Sequence, residues 1–285
     1  MGRDADARRV EAFGRSLQQA CVERFWSPER KVFVCNLPWE KEEGETRYHD
    51  RDLSTAVLFD MCPGGETARS LELLADAPDE MGLSYPANAL WRLWALTKGH
   101  RIDVVLNDLR TRWAGMASVS LNHTLQESWV STPDSREQWS HCPIAPLIVL
   151  HQSLAGIRPL DAAYDRFEIE PQPGDLTEVS CTVQTVKGPV DFACTGQPGK
   201  RRLRFTVPAG STAELVLPAD KQVPFILDDT LTNFDEARCA AALDFLCAEA
   251  ARRQILLFTC QSREAVYLQN RKNVHIITLR ETGWR

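Results

Sequence analysis

Ala213-Glu214-Leu215-Val216-Leu217-Pro218 and, after a short polar gap, Val223-Pro224-Phe225-Ile226-Leu227-Asp228-Asp229 mark the point where the chain changes character. Upstream of this seam, apolar residues alternate with polar ones. Phe167 to Glu170, Val179 to Val186, Val190 to Cys194, Leu203 to Val207 and Ala213 to Leu217 read as short antiparallel strands. Pro173-Gly174, Lys187-Gly188-Pro189 and Pro198-Gly199 supply the turns between them. Downstream, Phe225 to Leu227 is an unbroken apolar strand and 235–251 an Ala-rich helix. Ile255 to Thr259 and Val274 to Leu279 follow as further strands. A strand, a helix and a strand in that order predict a βαβ unit.

Before Pro159 the period is helical. Val10, Phe13, Leu17, Cys21 and Phe25 mark one amphipathic face, and Ile102, Val105, Leu106, Leu109 and Trp113 a second. Ile144, Leu147, Ile148, His151, Leu154 and Ala155 mark a third, closed by Gly156. Shorter helices are predicted at 52–61, 65–76 and 86–98, and a long loop at 30–51. Trp91, Trp94 and Trp113 have the helical spacing of core residues. Helices followed by a block of strands predict a mixed fold of separately packed units, not an alternating sheet. The boundaries fall at 1–159, 160–218 and 219–285.

A chain of 285 residues, 44% apolar and 25% charged, has the composition of an ordinary globular protein. A net charge of -6 gives no basic footprint for nucleic acid. Lys200-Arg201-Arg202 reads as a solvated turn. None of the nine cysteines are spaced as Cys-x-x-Cys, which predicts reduced thiols and no zinc site. No apolar run reaches the roughly 20 residues of a membrane span, and the N-terminus lacks a signal-peptide core. These features predict a cytoplasmic protein without metal, cofactor, membrane or nucleic-acid partner.

The segment from about Tyr48 to Pro218 resembles the C-terminal half of the α-L-rhamnosidases. Met116 followed by Leu125-Gln126-Glu127-Ser128-Trp129 is similar to that family's Met…Thr-x-x-Glu-x-Trp. Ser140-His141, Pro146 and Leu154 to Pro159 follow in the family's order. So do Phe167-Glu168-Ile169-Glu170-Pro171, Gly174-Asp175-Leu176, Lys187-Gly188 and Val207 to Ala213. The resemblance implies part of a six-hairpin (α/α) toroid followed by a β-sandwich, and a carbohydrate, rhamnoside-type substrate. It implies Glu127 as the general base, His141 as a hydrogen-bonding partner of the sugar or the reacting water, and Trp129 as part of the apolar wall. Inverting hydrolysis needs a second carboxyl group roughly 6.5–9.5 Å from the first. The family's general acid lies on an earlier hairpin, and Glu40, Glu42, Glu43 and Glu45 match no motif for it. Cys194 stands where the family usually has Trp. The expected enzyme is therefore a truncated, impaired glycoside hydrolase.

From Val223 the chain resembles the end of the ATPase head of repair-type, coiled-coil ABC ATPases. Phe225-Ile226-Leu227-Asp228-Asp229, Asn233-Phe234-Asp235 and Gln254 to Gln261 carry the likeness. It implies a Walker B pair, Asp228 for Mg²⁺ and Asp229 for the attacking water. The matching Walker A loop is missing: around Gly199-Lys200, Cys194 and Arg201 occupy the Gly and Ser/Thr positions. The pair is then vestigial, capping a strand and starting a turn. Two further readings stand beside the hydrolase: a non-catalytic fusion remnant and a fragment of such an ATPase head. A partial toroid would also leave apolar surface open to self-association.

Overall fold

The helical part of the molecule is built around one short helix that is apolar on nearly every side. The computed structural model describes residues 3–35, 47–130, 140–217 and 225–278. Among them the chain divides into two compact units, Met1–Val216 and Leu217–Arg285. In the first unit, α1 (Asp4–Phe25) leads into a two-stranded ribbon of β1 (Trp26–Ser27) and β2 (Val32–Phe33). Then come α2 (Asp50–Leu58), α3 (Ala68–Asp76), α4 (Leu90–Lys98), α5 (Ile102–Asp108), α6 (Ala117–Asn122) and α7 (Ala145–Val149). Leu93 and Leu96 of α4 are wholly buried in a core shared with Leu53, Leu74, Val105 and Val149. Each such side chain contributes roughly 1.5–3 kcal/mol.

Local chemistry explains where these helices start and stop. The Nδ1 atom of His49 accepts from Arg51 N at the N-cap of α2, and Asp50 and Asp52 lie in its first turn. Gly82 is required there by space: a Cβ would sit 2.4 Å from Cδ2 of His49. Gly156 ends the helical half with φ +71, and a Cβ would fall 1.9 Å from the Glu170 carbonyl oxygen.

Several expectations need correction. The second and third predicted helices are broken by π-helical turns at Leu109–Trp113 and Leu150–Leu154. Each closes with an i to i+5 bond, Ala114 N to Leu109 O (2.9 Å) and Ala155 N to Leu150 O (3.2 Å). Ahead of the second turn the buried face is that of Ala145 and Val149, so Ile144 and Leu147 face outward, while Leu154 and Ala155 are buried as expected. Trp113 is core, but Trp91 is 36% exposed. The i, i+3 spacing puts Trp91 edge-to-face on Trp94 along a stripe beside the inward one. The face of α1 forms as a helix, yet none of its residues is buried. The loop expected at 30–51 contains β2, while Glu40, Glu42, Glu43 and Glu45 lie outside the described residues.

Two three-stranded sheets complete the first unit. One has the order β3 (Ile157–Pro159), β4 (Arg166–Ile169), β8 (Thr212–Leu215). The other is the meander β5 (Glu178–Thr185), β6 (Gly188–Gln197), β7 (Lys200–Phe205). Phe167 and Ile169 of the first meet Val190, Phe192 and Cys194 of the second in one apolar core. The strands are not all antiparallel: β8 pairs parallel with β4. A whole meander separates those two strands in sequence, so no hairpin fixes their direction. Arg201 does not project into a solvated turn. Its Nη2 donates to Gly174 O (2.5 Å), and its Nη1 donates to Leu176 O (2.6 Å) and Gly196 O (3.4 Å).

The second unit contains β9 (Phe225–Asp228), α8 (Glu236–Glu249), β10 (Ile255–Phe258) and α9 (Ser262–Leu268). The strands β9 and β10 pair parallel, as a βαβ unit requires. Asp235 caps α8, its side chain accepting from Arg238 N at 2.8 Å. Leu243 and Cys239 of α8 pack with Leu257 and Leu268. The strand expected at Val274 to Leu279 does not form over 274–278, and Leu279 and Pro218 lie outside the described residues. Among the described residues no helix is long and apolar enough to cross a membrane. Nor does any group of three or more His, Cys, Asp and Glu among them form a metal site.

Candidate active site

Gln126, not Glu127, is the anchor of the loop that carries the predicted base. Its side chain is buried, accepts from Ser118 N (3.2 Å), and donates to the carbonyls of Ser128 (2.8 Å) and Trp129 (3.2 Å). Ser118 Oγ donates to Thr124 O at 2.8 Å, closing the loop after α6. With Gln126 turned inward, Glu127 projects to solvent and, among the described residues, meets no cation.

Trp129 is held on three sides. Its Nε1 donates to the Ser84 carbonyl at 2.8 Å. Trp113 meets it edge-to-face at 5.2 Å, and the Arg112 guanidinium lies 3.8 Å from its ring centroid. The π turn at Leu109–Trp113 delivers both of those side chains to the indole. Ser84 is fixed in turn by Asp50, a buried carboxylate accepting from Ser84 N (3.0 Å) and Oγ (2.7 Å). Arg112 is tied to Asp108 at 3.2 Å, which also lies 3.4 Å from the buried Arg92. Burial holds the Arg92 guanidinium below its usual value, against the opposing charge of Asp108.

The segment bearing His141 reaches the same loop through one backbone bond, Ser140 N to Leu125 O at 3.3 Å. His141 is exposed, in the turn before α7, and is not hydrogen-bonded to Glu127. The structure thus brings three elements together: the Glu127 loop, the Trp129 clamp and the His141 turn. Sequence reading missed Gln126, Ser84, Asp50 and Arg112. Gln126 lay inside the motif, but nothing local distinguishes an inward Gln from an outward Glu.

In the second unit Asp228 ends β9 and is exposed. Asp229 adopts the left-handed region (φ 47), and its Oδ1 accepts from Cys260 N at 3.0 Å. That carboxylate fastens the end of β9 to the end of β10. The Asn233-Phe234-Asp235 loop is pinned by Arg263, which donates to Phe234 O (2.8 Å) and Leu231 O (2.7 Å).

The fold is rhamnosidase-like. Residues 156–225 match the family described as bacterial alpha-L-rhamnosidase C-terminal domain. Three solved structures are similar. One is a GH78 family rhamnosidase of Bacillus sp. GL1 (TM-score 0.60, 23% identity, covering 75% of this chain and 23% of that one). Another is the Streptomyces avermitilis alpha-L-rhamnosidase complexed with L-rhamnose (0.56, 21%, 76% and 21%). The third is an Aspergillus terreus alpha-L-rhamnosidase (0.57, 20%, 76% and 26%). The chain therefore spans about a quarter of the length of these structures. No curated protein matches the sequence. The motor-ATPase likeness of the second unit receives no support from these comparisons.

Proposed function

We propose that this chain is a rhamnoside-directed glycoside hydrolase module, with its helices forming part of an (α/α) toroid beside the β-sandwich. Glu127 is the general base that activates water. His141 holds the sugar or that water, and Trp129 forms the apolar wall. The observation that carries this reading is the exposed Glu127 on a loop locked from within by Gln126 and Trp129, in a rhamnosidase-like fold. A base must be solvent-reachable yet fixed in position, and this loop provides both.

Hydrolysis is expected to be weak, because no residue of this sequence matches a motif for the acid that protonates the leaving oxygen. An aryl rhamnoside with a nitrophenyl leaving group isolates the base, because that group departs without protonation. The chain is expected to hydrolyse it slowly, and Glu127→Gln to abolish turnover without changing stability. Undiminished hydrolysis by the variant would overturn the assignment. In the second unit Asp228 and Asp229 serve as strand caps and not as a nucleotide site, a reading supported by the Asp229–Cys260 bond.

A further inference from the structure

A shallow, open depression of about 510 Å³ lies on the β-sandwich, between the turn after β3 and the end of β5. Tyr164, Leu160 and Val186 give it an apolar surface, and Asp161, Gln184 and Thr185 give it polar groups. Val186 is 81% exposed and Leu160 41%, at turn positions where neither side chain contributes to the core. The Tyr164 ring packs on Phe167 at 5.8 Å, so one face is fixed by the sandwich core. Ala163 and Tyr164 both have φ 58, two consecutive non-glycine residues in the left-handed region. Side-chain-bearing residues rarely adopt this region, and the pair sets the direction of the ring.

The charges around the depression are internally paired. Arg166 bonds Asp161 at 3.2 Å and Glu214 at 3.3 Å, and Lys187 is paired with Asp165. An anionic ligand would therefore find no unpaired cation among the described residues around it, and a cationic one would compete with Arg166. The Tyr164 hydroxyl and the Gln184 amide, by contrast, bond no described residue. A shallow site with an aromatic and aliphatic plate and uncommitted hydroxyl and amide groups suits a neutral, amphipathic ring. A wholly apolar ligand would leave those polar groups desolvated and unpaired.

We propose that this depression is a second carbohydrate site, binding a neutral deoxy-sugar residue by stacking on Tyr164, Leu160 and Val186. The Gln184 amide and the Tyr164 hydroxyl hydrogen-bond its ring hydroxyls. This rests on the carbohydrate reading above, and it gives the sandwich a role in retaining a polymeric substrate. Retention raises the local concentration of substrate at the Glu127 loop without any new catalytic contact.

The test is a titration of the full chain, methyl-labelled at Leu and Val, with L-rhamnose and with a rhamnose-containing oligosaccharide. Saturable shifts at the Leu160 and Val186 methyls are expected. Gln184→Ala and Val186→Asp change exposed residues, so folding is preserved, and each should weaken that binding about tenfold. Hydrolysis of a nitrophenyl rhamnoside should be unchanged in both. Glu127→Gln should lose hydrolysis while keeping the shifts at Leu160 and Val186. The proposal fails if those methyls do not respond, or if the two variants bind as the parent does. Absence of hydrolysis with intact binding would sink the catalytic reading and leave this one standing.

Discussion

The indole nitrogen of Trp129 donates to the carbonyl of Ser84 at 2.8 Å, linking two loops that are far apart in sequence. Ser84 is itself gripped by the buried carboxylate of Asp50, so the wall of the candidate site rests on the first turn of α2. The loop bearing Glu127 is thereby tied, through Trp129, to Ser84 and Asp50.

Trp129→Phe is expected to keep the ring packing and lose this bond. Leaving the Ser84 carbonyl unpartnered should cost about 1–3 kcal/mol in urea unfolding. The loss of hydrolysis on a nitrophenyl rhamnoside should exceed what the unfolded fraction explains. Equal stability and equal turnover would show that the clamp has no part in the site.

Asp52 gives a stability change with pH of known sign. Burial raises its carboxyl above the ordinary 3.8, while His49, Cys35 and Arg51 oppose the rise, and its Oδ2 has no hydrogen-bond partner. The folded state holds this proton more tightly than the unfolded one, so stability falls as pH rises from that ordinary value through the raised one. Asp103 and Asp175, held low by Arg101 and Arg110, act in the opposite sense. Asp52→Asn leaves those two untouched. The variant is expected to be more stable than the parent at neutral pH, with the gap closing as pH falls through the raised value towards about 4 and staying closed below it. A gap that stays constant from acid to neutral pH would contradict this.

Arg201 ties three carbonyls on either side of the β5–β6–β7 sheet's open end. Arg201→Ala should destabilise the sandwich by about 2–3 kcal/mol in chemical denaturation. Arg201→Lys should recover less than half, because an ammonium cannot span the three acceptors as the planar fork does.

Along α1, Val10 is 63% exposed, Phe13 67% and Leu17 53%. An uncovered apolar stripe of this kind favours self-association. Light scattering should show mass rising with concentration, together with binding of an apolar dye. Replacing the three residues with Ser should suppress both. A monomer at all concentrations in the parent would remove the stripe as an association surface.

Mg-ATP is expected to give no binding heat in calorimetry. Asp229 is engaged with Cys260, and the only Gly-Lys candidate, Gly199-Lys200, is the turn between β6 and β7 and not a strand-to-helix loop. Stoichiometric micromolar binding would restore the nucleotide reading of the second unit.

The sequence by itself determined the order of elements: helices to Gly156, alternating strands to Leu215, and a parallel βαβ unit from Phe225. These follow from the local period of apolar residues and from turn chemistry, which neighbouring positions set. It also marked Glu127 within its motif. The tertiary structure decided which residue of the Gln126-Glu127 pair turns inward, since Ser118 and Trp129 make that choice across the loop. It decided the π turns that carry Arg112 and Trp113 to Trp129, and the parallel pairing of β8 with β4. It also left Val10, Phe13 and Leu17 of α1 exposed, while Val22 and Phe25 pack against Phe33, Ala56 and Cys62. The strand pairing joins segments distant in the chain, and in the loop and the π turns packing overrides the helical period, so no local signal fixes either.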